Sequence, residues 1–208
     1  MPNFHTIAIN PVGEPGCGKS TLSMWLCQGL KLRGVSTEFV PEVIKYETFN
    51  PQSIARVVSG RFDQRFLRRQ HALALPLVGQ VEVIVNDGSL ESFLYYSQRR
   101  MPADRLSAMR EQIERYRKQM QPCEQRFVTV SRNHPYETTG RRQDEEEAIS
   151  MRHDILDVLR QEFGVVPILL STQEDRENYL TTIVNEVAAK RLLISAEVKL
   201  QSQALRSV

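Results

Sequence analysis

Short apolar runs alternate with longer segments of helical periodicity along most of the chain. Apolar runs bounded by turn residues predict buried strands, and apolar residues spaced three and four apart predict amphipathic helices. The predicted strands cover 7–9, 35–40, 81–85, 126–130 and 165–170. The predicted helices follow Ser20 as far as Gly34 and cover 51–80, with breaks near Gly60 and Pro76, then 91–99, 103–120, 144–163 and 173–191. Strands alternating with helices require parallel crossovers, so we expect an α/β protein, a three-layer α/β/α sandwich with a five-stranded parallel sheet.

Length and composition indicate that the chain forms a single globular domain. The 208 residues are 41% hydrophobic and 25% charged, which excludes global disorder. We assign 1–191 to the domain, a loop to 131–143, and a helix extension or tail to 192–208, favouring the helix. The net charge of +2 argues against bulk coating of nucleic acid, although a local basic face stays compatible with it.

Cysteine content and hydropathy bear on the compartment. The three cysteines show no CxxC spacing, so neither a disulfide framework nor a structural zinc site is indicated. No apolar run approaches the ~18 residues needed to span a bilayer, and the first residues carry no signal pattern. We therefore expect a cytoplasmic protein without a membrane partner.

The candidate chemistry begins directly after the first predicted strand. Residues 13–20 form a complete GxxxxGK[ST] match, preceded by a strand pattern and followed by a helix pattern. Its glycines allow a tight loop with N–H groups aimed at phosphate oxygens, while Lys19 reaches the β- and γ-phosphates and Ser20 offers a hydroxyl to Mg²⁺. The sequence predicts a P-loop NTPase fold that binds ATP with Mg²⁺. The predicted nucleotide contacts are Gly13, Glu14, Pro15, Gly16, Cys17, Gly18, Lys19, Ser20 and Thr21.

Missing motifs narrow the class of P-loop protein. No NKxD-type guanine motif follows the later strands, which counts against a GTPase, and no LSGGQ signature of ABC proteins occurs. The chain also looks too short for an AAA+ module with its lid domain. Small phosphoryl-transfer kinases are the remaining class that fits.

From 6 to 191, the chain resembles the P-loop nucleoside and nucleotide kinases, including thymidylate kinases, deoxynucleoside kinases and nicotinamide-riboside-kinase-like proteins. It particularly resembles small kinases of this type encoded by bacteriophages. The resemblance implies that Glu42, after the second strand, is the general base, and that Asp87, after the third strand, binds Mg²⁺ or its water. Glu47 and Glu91 are rival bases. Gly88 departs from the pattern, because the family often has arginine there.

Two arginine-bearing segments complete the candidate site. The resemblance implies that 131–143 is a lid, with Arg141 and Arg142 beyond the Gly140 hinge closing over the triphosphate as catalytic residues; a solvated loop is the alternative. It also implies that the helix after the second strand borders the acceptor pocket, with a solvated helix face as the alternative. The candidate substrate residues there are Gln64, Arg65, Arg68 and Gln70.

The predicted activity is transfer of the γ-phosphoryl group of ATP to a hydroxyl or phosphate of a nucleoside, nucleotide or modified pyrimidine. One version, taken from the resemblance to phage enzymes, has a 5-hydroxymethyl pyrimidine within DNA as acceptor. DNA and a second copy of the chain are compatible partners. The alternative is a P-loop NTPase that acts as a regulatory or assembly module without a phosphoacceptor.

Overall fold

Five strands and seven α-helices are present in the part of the chain that the structure describes. The computed structural model describes the backbone of residues 4–48, 63–99, 101–131 and 144–206, and the side chains of 4–46, 64–99, 101–131 and 144–196. The strands are β1 (Ile7–Val12), β2 (Thr37–Val40), β3 (Val83–Asn86), β4 (Glu124–Thr129) and β5 (Ile168–Leu169). The helices are α1 (Lys19–Leu32), α2 (Val43–Thr48), α3 (Asp63–Ala74), α4 (Ser92–Gln98), α5 (Ala103–Gln119), α6 (Glu145–Phe163) and α7 (Gln173–Arg206).

The strands form one sheet in the order β2-β3-β1-β4-β5, and every pairing is parallel. In register, Ile7 lies opposite Val83 on one side and Glu124 on the other. Strand β1 is therefore central, and all strands end at the same edge of the sheet. The predicted five-stranded parallel sheet is confirmed.

Helices cover both faces of this sheet. On one face, Ile7 and Ile9 pack in a cluster with Leu26 of α1 and Ile183 of α7. On the other face, Ala8 packs with residues that follow α3 and α5. Side chains of a strand alternate between faces, so both sides of β1 are buried, and each fully buried aliphatic side chain contributes about 1.5–3 kcal/mol. The three-layer α/β/α sandwich is thus observed.

Two predicted strands are shorter than expected because helix ends take their first residues. Gly34 has a φ of 74°, a left-handed conformation that ends α1, and the Val35 N–H then donates to Leu30 O at 3.1 Å. In the same way, the N–H of Val165, after Gly164, donates to Leu159 O at 3.0 Å. The apolar residues at 35 and 165 therefore close helices, and β2 and β5 begin later than predicted.

Three of the observed helical segments can be compared with the predicted helices. The helix that we favoured for 192–208 is present as far as Arg206, in continuation of α7. The short helix α2 was not predicted. Within the segment predicted as helix over 51–80, α3 ends in a 3₁₀ turn, Leu75–Leu77, at the predicted Pro76 break, whereas the Gly60 break lies outside the described residues. Among the described helices, none has the length and apolar character required to cross a membrane.

His71 on α3 gives the fold a pH dependence that can be measured. Its ring stacks on Tyr116 of α5 with centroids 3.9 Å apart, and its Nε2 is buried without a hydrogen-bond partner among the described residues. Burial lowers the pKa of His71 below its ordinary value of 6.5. The unfolded chain therefore binds this proton more readily, and the free energy of unfolding must fall as pH drops below about 6.5.

We expect His71→Phe, which keeps the stack on Tyr116 but cannot titrate, to flatten this decline. Urea unfolding of both proteins at several pH values between 5 and 7.5 measures the effect as a difference. Parallel curves for the wild type and His71→Phe over that range would contradict the assignment.

Candidate functional site

The GxxxxGK[ST] segment forms a loop between β1 and α1, at the edge of the sheet where the strands end. Gly18 has a φ of 101° and is the N-cap of α1, so the backbone turns in a left-handed conformation at the start of the helix. At Gly13, with a φ of 143°, a Cβ atom would lie only 3.0 Å from Cys17 Sγ. The loop is therefore wound tightly around its own interior, as a phosphate-binding loop requires.

Lys19, the first residue of α1, folds back over this loop. Its Nζ donates to Gly13 O at 3.0 Å and to Glu14 O at 2.8 Å. Burial on its own lowers the pKa of Lys19, but the negative charges around it, including Glu42 and Glu14, outweigh burial and raise the pKa above its ordinary range. The ammonium is thus fully charged at neutral pH and lies where phosphate oxygens would enter.

Glu14 contributes a negative charge to the loop. The residue is buried, and its Oε2 has no hydrogen-bond partner among the described residues. Cys17 is buried as well, with its Sγ 3.9 Å from Lys19 Nζ. Of the predicted nucleotide contacts, Gly13 and Gly16 are buried as well, while Thr21 is exposed on α1.

Ser20 and Asp87 lie beside the loop, joined by a lysine that the sequence analysis did not select. The helix α1 is held to the end of β3 because Ser23 Oγ donates to Asn86 O at 3.0 Å. Lys45 Nζ, from α2, lies 2.5 Å from Ser20 Oγ and 3.6 Å from Asp87 Oδ2. These three side chains form a cluster at the mouth of the loop.

The Asp87 carboxylate is only partly satisfied. The residue is 4% exposed, and its Oδ1 has no hydrogen-bond partner among the described residues. Burial raises the pKa of Asp87 above its ordinary value, although Lys45, Ser20 and Lys19 act in the opposite direction. Mg²⁺ binds through one or two protein oxygens together with phosphate oxygens and water, so the Ser20 hydroxyl and Asp87 carboxylate fit it chemically. Among the described side chains, no group of three or more His, Cys, Asp or Glu residues forms a separate metal cluster.

Glu42 lies in the turn between β2 and α2, held in place by a buried glutamine. Gln70 Oε1 accepts from the Val43 N–H at 2.9 Å, and Gln70 Nε2 donates to Pro41 O at 3.1 Å. Gln70, at 3% exposure, thereby binds the backbone on both sides of Glu42. The clamp fixes the position of Glu42 relative to α3.

Gly88 follows Asp87 and lies next to the Glu42 side chain. A Cβ atom on Gly88 would lie 3.5 Å from Glu42 Oε1, so the Glu42 carboxylate lies directly against this backbone. Gly88 also has a φ of 134°, which side chains rarely adopt. A residue with a side chain would be strained in this conformation, which accounts for a glycine directly after Asp87.

Tyr96 on α4 is a further residue of the site that sequence reasoning did not place there. Burial raises the pKa of Tyr96 to about 12, with Lys19 lowering it and Glu42 raising it. Its hydroxyl is therefore a neutral group within the electrostatic reach of both Lys19 and Glu42. The T-shaped contact with Tyr95, at 5.3 Å between centroids, orients its ring. The sequence signal was weak, because paired tyrosines on an amphipathic helix are usual core residues.

The remaining predicted residues lie elsewhere. Gln64, Arg65 and Arg68 are exposed on α3, on a different face from the buried Gln70. The predicted lid residues Arg141 and Arg142 lie outside the described residues. The rival base Glu91 is buried against Arg117, with 3.3 Å between Glu91 Oε1 and Arg117 Nε, and the side chain of the other rival, Glu47, is outside the described set.

The clamp on Glu42 leads to a prediction about stability. Gln70→Leu leaves the buried Val43 N–H and Pro41 C=O without partners, so we expect the free energy of unfolding to fall by about 2–4 kcal/mol. A role in reading the substrate alone would leave the ligand-free protein as stable as the wild type. Urea unfolding measures the difference, and Gln64→Leu on the exposed face of the same helix is the control, with an expected change within about 0.5 kcal/mol.

Comparison with solved structures supports the fold. No model of a known protein family and no curated protein matches the chain. Its structure is similar to that of NadR protein in complex with NR, with a TM-score of 0.61 and 16% identity over 88% of this chain and 52% of that chain. A second structure, NadR protein in complex with NAD and AMP-PNP, gives a TM-score of 0.62 and 13% identity over 89% of this chain and 50% of that one. The chain thus spans about half the length of these proteins, and the similarity establishes a shared P-loop α/β fold.

Proposed function

We propose that the protein is a P-loop phosphotransferase, which uses ATP and Mg²⁺ to phosphorylate a hydroxyl or phosphate group of a nucleoside, nucleotide or modified pyrimidine. One observation carries the proposal: a phosphate loop, a hydroxyl–carboxylate pair and a second carboxylate meet at the ends of three adjacent strands, β2, β3 and β1. The third group, the Glu42 carboxylate, can activate a nucleophile, and an acceptor hydroxyl is the nucleophile that we propose.

The phosphate loop and Lys19 bind the triphosphate. Backbone N–H groups of the loop face the phosphate oxygens, and the Lys19 ammonium exchanges its bonds to Gly13 O and Glu14 O for bonds to phosphate. Ser20 and Asp87 would hold the magnesium ion, which when bound neutralises charge that builds on the β- and γ-phosphate oxygens. The bound AMP-PNP in one NadR structure supports ATP as the nucleotide.

Glu42 accepts the proton of the acceptor hydroxyl. The clamp by Gln70 holds it, and the glycine at 88 gives its carboxylate room beside Asp87. A carboxylate within hydrogen-bond reach of the attacking hydroxyl contributes about 10²–10⁴-fold to such a reaction. Tyr96 lies within the electrostatic reach of Glu42 and Lys19, and its hydroxyl stays neutral.

The acceptor side of the proposal depends on arginines. Arg65 and Arg68 on the exposed face of α3 offer positive charge to an acceptor phosphate, including the backbone of DNA. Arg141 and Arg142 are proposed to close over the triphosphate, on the evidence of the sequence pattern alone. A 5-hydroxymethyl pyrimidine within DNA suits both Glu42 and the arginines of α3. Its primary hydroxyl supplies the proton that Glu42 accepts, and the polyanionic backbone beside it pairs with Arg65 and Arg68.

An acceptor panel tests the function. The protein is incubated with Mg²⁺ and ATP labelled at the γ-phosphate, together with free nucleosides, nucleotides, or duplex DNA containing 5-hydroxymethyluracil. We expect label on one acceptor class, and loss of this label in Glu42→Gln. Label that appears only as free phosphate with every acceptor would contradict the transferase and favour an NTPase that acts as a regulatory or assembly module.

A further inference from the structure

Lys45 takes the place of a cation at the mouth of the phosphate loop. Its ammonium lies 2.5 Å from Ser20 Oγ and 3.6 Å from Asp87 Oδ2, the same two groups that fit a magnesium ion. Lysine is a donor only, so the short contact uses a lone pair of the Ser20 oxygen. That oxygen keeps a second lone pair, so a metal ion is opposed by the charge of the ammonium and by the space that it occupies.

The positive charge of Lys45 also opposes the binding of a metal ion at Ser20 and Asp87. A magnesium ion held by Ser20 and Asp87 would use the same two groups that the Lys45 ammonium contacts. Two cations on the same pair of oxygen-bearing groups repel each other. The buried Oδ1 of Asp87, which lacks a hydrogen-bond partner among the described residues, shows that Lys45 satisfies only one side of this carboxylate. A ligand that approaches Asp87 more closely than Lys45 can therefore displace it.

The surroundings allow the side chain of Lys45 to move while the backbone stays in place. The Lys45 side chain is 46% exposed, in contrast to the buried Asp87. The chain leading into α2 is fixed, because Gln70 binds Pro41 O and the Val43 N–H. A change of Lys45 rotamer thus empties the cluster without moving Glu42.

We propose that Lys45 fills the magnesium position of the ligand-free protein and leaves it when the nucleotide arrives with its metal. The proposal rests on the proposed ATP and Mg²⁺ site. Under it, Lys45 is a positioning residue: it excludes free metal ions from Ser20 and Asp87, and it supplies positive charge to ATP that binds without metal. Lys45 and Mg²⁺ are then alternative occupants of one site, and each weakens the effect of the other on nucleotide affinity.

Nucleotide binding with and without metal tests the exclusion. The Kd of ATP is measured by calorimetry for the wild type and Lys45→Met, in EDTA and in excess Mg²⁺. We expect Lys45→Met to raise the Kd of ATP by about tenfold or more in EDTA and by less than about threefold in excess Mg²⁺. The difference between these two changes is typical of the coupling between two binding sites. The control is Lys31→Met, which removes an exposed lysine paired with Glu38 and is expected to change neither value. Equal losses in both conditions, or none in either, would overturn the proposal.

Metal binding without nucleotide gives a second measurement. Mn²⁺ titrations followed by electron paramagnetic resonance should show tighter binding to Lys45→Met than to the wild type, and Lys45→Met/Asp87→Asn should lose the gain. Lys45→Gln, whose amide still reaches Ser20 without charge, serves if the methionine variant does not fold. Unchanged Mn²⁺ affinity in a folded Lys45 variant would contradict the exclusion.

These outcomes are separable from those of the proposed function. Absence of phosphoryl transfer to every acceptor would leave both binding results intact. A wild type that binds ATP in neither condition would instead overturn the nucleotide site itself, and the role of Lys45 with it.

Discussion

Replacing Lys19 with alanine is expected to lower kcat/KM for ATP by at least about 10²–10³-fold, the loss typical of removing one group that stabilises charge in a transition state. The reason is local. The Lys19 ammonium is held over the loop by Gly13 O and Glu14 O, and the surrounding negative charge keeps it protonated. No other described cation donates to these two carbonyl groups. Steady-state turnover of labelled ATP, with whichever acceptor the panel identifies, measures the effect.

A matched variant separates this loss from a general effect of removing a lysine from α1. Lys31 lies in the last turn of the same helix and pairs with Glu38 at the surface. Lys31→Ala should keep wild-type turnover, because an exposed ion pair contributes at most about 1 kcal/mol to stability. Thermal unfolding of both variants checks that the loop still folds. Near-normal turnover in folded Lys19→Ala would show that the triphosphate binds elsewhere.

Replacing Glu42 with glutamine is expected to slow phosphoryl transfer by about 10²–10⁴-fold while leaving ATP affinity nearly unchanged. Glutamine keeps the shape of the side chain beside Gly88 and the backbone bonds that Gln70 makes on either side. It removes the proton acceptor and one negative charge near Lys19. Single-turnover transfer and calorimetric ATP binding measure the two quantities independently.

Glu38→Gln provides the comparison for this second variant. Glu38 belongs to β2, four residues before Glu42, but its carboxylate faces Lys31 at the surface. Its substitution should alter neither transfer nor binding. If Glu42→Gln transferred phosphate at the wild-type rate, the base would have to be another group, and Glu91, buried against Arg117, would be the next to test.

The parts of the site that could be predicted from sequence are those encoded by contiguous residues. The phosphate loop is a complete motif with a strand before it and a helix after it, and both are present. The roles predicted for Glu42 and Asp87 come from the resemblance to P-loop kinases, and in the structure both residues follow strands. That their carboxylates belong to adjacent strands depends on the order β2-β3-β1, which the alternation of elements does not specify.

The sequence analysis did not select Lys45, and it did not predict the buried position of Gln70. The two omissions have different physical reasons. Lys45 follows Glu42 in a segment too short to show periodicity, and its meaning comes from Ser20, twenty-five residues earlier in the chain. Gln70 was grouped with the exposed Gln64, Arg65 and Arg68, yet it lies on the buried face of α3. The signal was available, because Phe66 and Leu67 precede it at intervals of four and three and are both buried.

The central position of β1 has a consequence for synthesis of the protein. Both neighbours of β1 come later in the chain, beginning at Val83 and Glu124. At translation rates of about 5–20 residues per second, the first strand waits on the order of 10 s before its second neighbour has been made. Until β3 has been made, β1 and the glycine loop attached to it have no neighbouring strand to pair with, and the other edge of β1 stays open until β4 follows. The central strand thus has both of its neighbours only after well over half of the chain has been synthesised.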